Sequence, residues 1–286
     1  MRFAVMGGDR RSAILCRLLL QDGHRLSAYA LERAELPEEI PRALCIQSAV
    51  YGADAVLLPV PAERGGFLNA PLSSEKLSMK ELISSLWKGQ LLIGGKLSEG
   101  SSLSAVKAGL QVEDIMRRPD FVTGNAALTA EGAVELLMSE SEKSIWGSDV
   151  LVCGWGRIGK ILSARLKAMG AAVSVCARKS GDRAMAGCMG FEALEYSQLE
   201  EKAGEYDFIV NTVPERVISK AALCCCESGS IIMELASPPG GFDRNLAENI
   251  GLKVIYAPGL PGKCAPCTGA VLMKEAVYGT IAGQEE

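Results

Sequence analysis

Short apolar runs alternate with segments of helical period along the chain, and turn residues punctuate them. The first run, residues 3–6, enters Gly7-Gly8-Asp9, after which Ile14, Leu15, Leu18 and Leu19 fall on one face of a helix. The turn Asp22-Gly23-His24 leads to a strand over 26–30, and a Pro- and Glu-rich link spans 35–41. The pattern then predicts a strand over 53–59 ending in Pro59-Val60-Pro61, a helix over 80–87 and a strand over 91–95. A helix over 101–110 is opened by serines, which are good N-caps. Pro119 marks a break, and 126–141 reads as a helix carrying Leu128, Val134, Leu136 and Leu137. In the second half, strands are predicted over 150–153, 172–177, 207–211, 230–235 and 254–257, with helices over 158–169 and 268–281 and a short one starting at Asp243.

Strands and helices alternating at this spacing predict parallel sheets with helices on both faces. A chain of 286 residues suits two such domains. The fold class is therefore α/β: two Rossmann-like doubly wound parallel-sheet domains with a cleft between them. The expected division is an N-terminal substrate or partner domain over 1–125, a linking helix over 126–145, a dinucleotide-binding domain over 146–262, and a C-terminal helix over 263–286 that packs back on the first domain.

The sharpest chemical signal is Gly154-Trp155-Gly156-Arg157-Ile158-Gly159, a G-x-G-x-x-G between a strand and a helix. The first glycine allows the tight turn, the second lets a pyrophosphate approach the backbone, and the third lets helix and strand pack closely. The helix N-terminus presents N–H groups to the phosphates. At the end of the next strand, where NAD-binding domains usually place an acid for the ribose hydroxyls, this chain has Arg178-Lys179-Ser180. Cations there suit a 2′-phosphate, so NADP is the expected cofactor. Thr212, Val213 and Pro214, with Leu235 and Ala236, leave later strands toward the ribose and nicotinamide side. The first domain's own turn lacks the glycine spacing, and Asp9 with its neighbouring arginines would crowd a pyrophosphate there. Its strand ends instead offer Arg10, Arg11, Arg64 and Lys96 as ligands for substrate carboxylates, which guanidinium groups match in bidentate fashion. Asn125, Thr129 and Glu131, at the start of the linking helix, and Ser237 are the candidate polar groups near the reacting centre. For Glu131 an ordinary first-turn acid is the competing reading.

Composition narrows the class further. A net charge of −4 argues against nucleic acid or an anionic membrane as partner, and no apolar run approaches the ~20 residues that span a bilayer. The chain enters its first strand without a signal-peptide pattern, and its ten cysteines lack the spacing of a secreted disulfide scaffold. Both features point to a cytoplasmic protein with reduced thiols. One histidine and a single C-x-x-C, Cys264 to Cys267, do not make a metal site, and none is expected.

The Gly-Gly-Asp-Arg turn, Trp155 to Gly159, Leu235 to Asp243 (Leu-Ala-Ser-Pro-Pro-Gly-Gly-Phe-Asp) and Ala257 to Gly262 (Ala-Pro-Gly-Leu-Pro-Gly) together resemble the A subunit of dipicolinate synthase, over nearly the whole chain. The resemblance implies an NADP-dependent oxidoreductase of spore formation in the mother-cell cytoplasm. The implied partner is the flavoprotein-like B subunit of that enzyme. The implied substrate is a small dicarboxylate, the cyclic product of dihydrodipicolinate synthase, oxidised to pyridine-2,6-dicarboxylate. The resemblance transfers cofactor contacts to Gly154, Gly156, Arg157, Ile158 and Gly159, and less directly to Arg178, Thr212, Val213 and Pro214, but no catalytic residue; Cys264 and Cys267 depart from the family pattern. Association with further copies of the chain stays open. D-2-hydroxyacid dehydrogenases share the two-domain plan but use a histidine acid–base, whereas His24, the only histidine here, stands in a turn. The alternatives are an NADP-dependent dehydrogenase of another small carboxylate and a non-catalytic nucleotide-binding component of a flavoprotein complex.

Overall fold

The computed structural model describes residues 1–283; the end of the predicted 263–286 segment, 284–286, lies outside the described residues. The chain forms two compact units, Met1–Asn125 with the segment that begins at Ala265, and Ala126–Cys264.

The first unit runs β1 (Arg2–Met6), α1 (Arg10–Gln21), β2 (Arg25–Tyr29), α2 (Ile46–Val50), β3 (Ala55–Leu57), β4 (Glu63–Arg64), β5 (Phe67–Leu68), α3 (Met79–Ser84), β6 (Leu91–Gly94), α4 (Glu99–Lys107) and β7 (Gln111–Asp114). Its five-stranded sheet has the order β2-β1-β3-β6-β7, every pair parallel. β1, β3 and β6 are buried on both faces, which is why they read as unbroken apolar runs. Separate apolar clusters cover the two faces, one around Phe3, Leu15 and Ile93, the other around Met6, Leu82 and Leu92. Each such fully buried side chain contributes roughly 1.5–3 kcal/mol.

α5 (Pro119–Glu140) begins seven residues before the predicted 126. Pro119 starts this helix instead of breaking the chain, because its missing N–H and fixed φ suit the first helical turn. The unit boundary at Asn125 falls inside α5.

The second unit continues with β8 (Asp149–Cys153), α6 (Arg157–Ala168), β9 (Ala172–Cys176), α7 (Ser180–Cys188), β10 (Glu192–Leu194), α8 (Leu199–Lys202), β11 (Phe208–Asn211), α9 (Lys220–Cys225), β12 (Ile231–Glu234), α10 (Arg244–Asn249), β13 (Lys253–Tyr256) and α11 (Leu260–Cys264). Its parallel sheet has the order β10-β9-β8-β11-β12-β13, the doubly wound arrangement whose strand order reverses between β8 and β11. α12 (Pro266–Ala282) then packs on α1 in the first unit, with Ala270, Met273 and Val277 in the cluster that holds Leu15 and Leu19.

The first unit closes its own switch point with protein. Asp9 caps α1 by accepting from the Arg11 N–H at 2.9 Å, and the Arg11 guanidinium returns to both Asp9 oxygens and donates to the Val60 carbonyl at 2.5 Å. That ties the β1 turn to the β3 loop across the crevice where a doubly wound sheet binds ligands. The β4–β5 hairpin covers the same turn: a Cβ on Gly7 would lie 2.8 Å from the Leu68 side chain. Arg11, expected as a carboxylate ligand, is 4% exposed and already engaged. Arg11→Ala should therefore lower stability by about 2–3 kcal/mol, since it leaves the partly buried Asp9 carboxylate without its cation and the Val60 carbonyl without its donor. Exposed Arg10→Ala should stay within about 0.5 kcal/mol. Urea midpoints of the two variants check the contrast.

Candidate functional site

At the β8 carboxyl end two of the three loop glycines have a steric reason within the protein. Gly154 has φ +108°, and a Cβ there would meet the Thr212 hydroxyl at 2.4 Å and Val213 at 2.8 Å. A Cβ on Gly159 would lie 2.0 Å from the Gly154 carbonyl oxygen, so only glycine lets α6 start this close to the turn. Over Gly156 nothing lies within 4 Å of where a Cβ would be, and Gly156 caps the twelve-residue α6 with no side-chain hydrogen bond. An open space facing uncapped N–H groups at a helix N-terminus fits a pyrophosphate. Thr212 braces the turn by donating its hydroxyl to the Cys153 carbonyl at 2.8 Å. Trp155 is buried edge-to-face on Phe191, while Arg157 is exposed and Ile158 half-buried at the start of α6.

Beside this loop is a cavity of about 270 Å³, lined in part by Gly154, Gly156, Arg178, Lys179, Val213 and Glu215. It collects residues from the ends of β8, β9 and β11, where an adenosine half would lie. Arg178 is 75% exposed and pairs with Glu215 at 3.4 Å. Lys179 precedes α7, whose first residue is Ser180, and makes no side-chain cap. Arg183 holds this backbone by donating to the Ala177 and Arg178 carbonyls at 3.0 and 2.8 Å, and it pairs with Glu195. The sequence reading missed Glu215, Arg183, and the cavity-lining Asp182 and Tyr196. Glu215 carried a usable signal, as it directly follows the Thr212-Val213-Pro214 turn.

The β11 and β12 ends are joined by a buried polar pair that the sequence reading also missed. Asn211 is fully buried and Glu234 is 1% exposed. Glu234 Oε1 accepts from Asn211 Nδ2 at 2.7 Å and from the Ala236 N–H at 2.9 Å; Oε2 accepts from the Gly241 N–H at 2.7 Å. Asn211 in turn donates to the Val213 carbonyl at 2.8 Å and accepts from its N–H at 3.2 Å. Two side chains thus fix both the 212–214 and 235–241 turns. Burial pushes the Glu234 carboxyl above its ordinary range, against the pull of its three donors. Leu235 and Ala236 are buried, the Leu235 N–H donating to the Asn211 carbonyl at 3.0 Å, and Ser237 is exposed on the turn.

Other predicted residues sit differently. Asn125, Thr129 and Glu131 lie in the interior of α5, not at its start, because the helix begins at Pro119. Glu131 pairs with Arg165 at 2.8 Å on the surface, and Arg165 also donates to the Ala127 carbonyl, so Glu131 serves this ion pair and is no first-turn acid. Arg10 is the exposed first residue of α1, and Arg64 is exposed on the β4–β5 hairpin. Lys96 follows β6 in a left-handed conformation (φ 57°), its N–H donating to Asp114 at 3.0 Å. His24 precedes β2, at the amino end of the sheet and away from the ligand-binding strand ends; its ring packs on Phe3 and lies 3.0 Å from the Tyr278 hydroxyl. All ten cysteines are free, and no cluster among the described residues could hold a metal. No described helix is long and apolar enough to cross a membrane.

Residues 2–116 match the family of the N-terminal domain of the dipicolinate synthase A subunit, and residues 130–237 match the NAD binding domain of D-isomer specific 2-hydroxyacid dehydrogenases. The chain is 29% identical over 287 residues to the A subunit of dipicolinate synthase from Bacillus subtilis (strain 168), spanning 99% of this chain and 96% of that one. The crystal structure of the dipicolinate synthase A subunit from Bacillus halodurans superposes with a TM-score of 0.87 at 26% identity, over 98% of this chain and 97% of that one. The corresponding crystal structure from Bacillus subtilis gives 0.84 at 27%, over 100% and 98%. The second unit is thus a dehydrogenase-type nicotinamide dinucleotide domain. Residues 2–116 thus match the domain family of the dipicolinate synthase A subunit, and over nearly its whole length the chain is similar to such subunits.

Proposed function

We propose that the chain is the A subunit of an NADP-dependent enzyme that oxidises a cyclic dihydrodipicolinate-type precursor to pyridine-2,6-dicarboxylate during sporulation, in the cytoplasm and with a flavoprotein-like B subunit. The observation that carries this reading is the uncapped α6 N-terminus behind Gly156, in a chain similar over nearly its whole length to a dipicolinate synthase A subunit. In the reaction, loss of the ring hydroxyl as water and removal of a hydride and a proton complete the aromatic ring. The nicotinamide, when bound, accepts the hydride. Aromaticity supplies much of the driving force, which leaves the protein mainly orientation and charge pairing. The placement of His24 supports this over a hydroxyacid-type reaction, which would require a histidine at the reacting centre.

In this reading the 154–159 backbone holds the pyrophosphate, and Arg178, Lys179 and Ser180 take the 2′-phosphate. Asn125, Thr129 and Ser237 are the polar groups assigned to the reacting centre, and Arg10, Arg64 and Lys96 the carboxylate ligands. Arg11 is left out because it is buried and committed to Asp9 and the Val60 carbonyl, and Glu131 because its carboxylate turns to Arg165 on the surface. Reconstitution with the flavoprotein-like partner on the cyclic product of dihydrodipicolinate synthase tests the reaction. Formation of pyridine-2,6-dicarboxylate with NADP reduced in preference to NAD is expected; no product with either nucleotide would sink the reading.

Arg178 gives a separate check on cofactor choice. A charge-assisted hydrogen bond is worth about 1.5–3 kcal/mol, so Arg178→Ala should raise the KM for NADP at least about tenfold and leave that for NAD nearly unchanged. Glu215→Gln frees the guanidinium and should lower the KM for NADP. An unchanged NADP KM in Arg178→Ala would remove Arg178 from the 2′-phosphate site.

A further inference from the structure

A second cavity of about 270 Å³ lies in the first unit, between one ridge of α1 and the loop that follows β2. Arg10 and Arg17, two helical turns apart, line it from α1, and Arg33 lines it from the loop. None of the three side chains has an ion-pair or hydrogen-bond partner among the described residues. The sole acid in the lining is Glu35, so three guanidinium groups and one carboxylate leave two positive charges in a small space. Ile14 and Leu72 supply apolar wall between them.

The loop is held in place. Arg42 donates to the Leu31, Glu32 and Ala34 carbonyls at 3.0, 2.9 and 2.6 Å, and the Arg33 N–H donates to the Leu72 carbonyl at 2.9 Å. Arg33 is therefore mounted on a fixed backbone facing α1, and little ordering remains when a ligand arrives. Ligand pockets usually run about 300–1,000 Å³; at about 270 Å³ this cavity falls just below that range, so it suits only a small molecule. Two surplus charges match a dianion, planar guanidinium forks match carboxylates, and an apolar wall matches the face of a ring.

We propose that this cavity binds a small dicarboxylate, with Arg17 and Arg33 as ligands beside Arg10. The choice of a dicarboxylate rests on the reaction proposed above; the charge and shape arguments stand without it. Calorimetric titration of the full chain with pyridine-2,6-dicarboxylate tests the site, using wild type, Arg17→Ala, Arg33→Ala and the double variant. Each single substitution should weaken binding by about tenfold or more, and the double variant should show none. Thermal midpoint and NADP affinity should not move, since both residues are exposed and remote in sequence from the glycine loop. Wild-type affinity in the variants overturns the proposal, as does a wild type that binds inorganic phosphate but not the dicarboxylate. Lost binding in the variants without turnover of any ring precursor by the reconstituted enzyme upholds this site and removes the reaction. Unchanged binding with turnover intact does the reverse.

Discussion

Gly159→Ala is expected to lose dinucleotide binding by on the order of 100-fold, equivalent to about 2.7 kcal/mol, and to lower the thermal midpoint as well. The added Cβ would sit 2.0 Å from the Gly154 carbonyl oxygen, a backbone atom with little room to yield. Gly154 is pinned by its left-handed φ, by Thr212 and Val213 on its own Cβ side, and by the hydrogen bond from its N–H to the Cys176 carbonyl at 2.8 Å. The clash must therefore push α6 away from the sheet, opening the phosphate turn and disturbing the packing of Leu162 and Leu166. Overpacking of this kind costs about 1–3 kcal/mol even between side chains. Gly156→Ala separates the two effects. Its Cβ meets nothing within 4 Å, so the fold should lose only the roughly 0.5–1 kcal/mol that separates Gly from Ala at an N-cap, yet the methyl group occupies the space over which a pyrophosphate would lie. Calorimetric titration with NADP and thermal unfolding of both variants read the contrast. Wild-type affinity in Gly156→Ala would move the pyrophosphate elsewhere.

The contrast between these two glycines was legible in the sequence because glycine spacing encodes local backbone geometry. The parallel sheets were legible for a related reason: buried strands such as Val150 to Cys153 must be apolar on both faces. Edges escape that demand. β7 reads Gln-Val-Glu-Asp and is only half-buried at its most covered, and β4–β5 is two residues a side, marked only by Gly65-Gly66 at its turn. Pro119 misled because one residue type both ends and begins helices. That single difference moved Asn125, Thr129 and Glu131 from a helix start into its interior. Arg10 and Arg11 show a different limit. Adjacent helical residues point in different directions, so one arginine faces a cavity and the other the Asp9 carboxylate, and nothing in an Arg-Arg pair says which. Glu234 was invisible for a third reason: its donors come from residues 211, 236 and 241, which only the folded sheet brings together.

Glu234→Gln, although nearly isosteric, should cost about 1–3 kcal/mol of stability, and Glu234→Ala more. Both carboxylate oxygens act as acceptors, Oε1 from two donors and Oε2 from one. Glutamine offers one oxygen and an NH₂ group. Turned one way, its NH₂ faces the Gly241 N–H; turned the other, it faces both Asn211 Nδ2 and the Ala236 N–H. Either way two donors meet in a site with almost no access to water. Asn211 cannot flip to relieve this without breaking both of its bonds to Val213. Released from Glu234, the 235–241 turn loses its anchor while the glycine loop and Arg178 stay in place. The dinucleotide Kd should therefore hold within roughly threefold, less than about 0.7 kcal/mol, while turnover of the reconstituted enzyme falls. A loss of nucleotide affinity matching the loss of rate would mean that Glu234 supports the whole domain and not this turn. Asn211→Asp gives the matching control: it sets a second carboxylate against Glu234 in the same dry site, so it should destabilise at least as much as Glu234→Gln and should do so only where both groups are ionised.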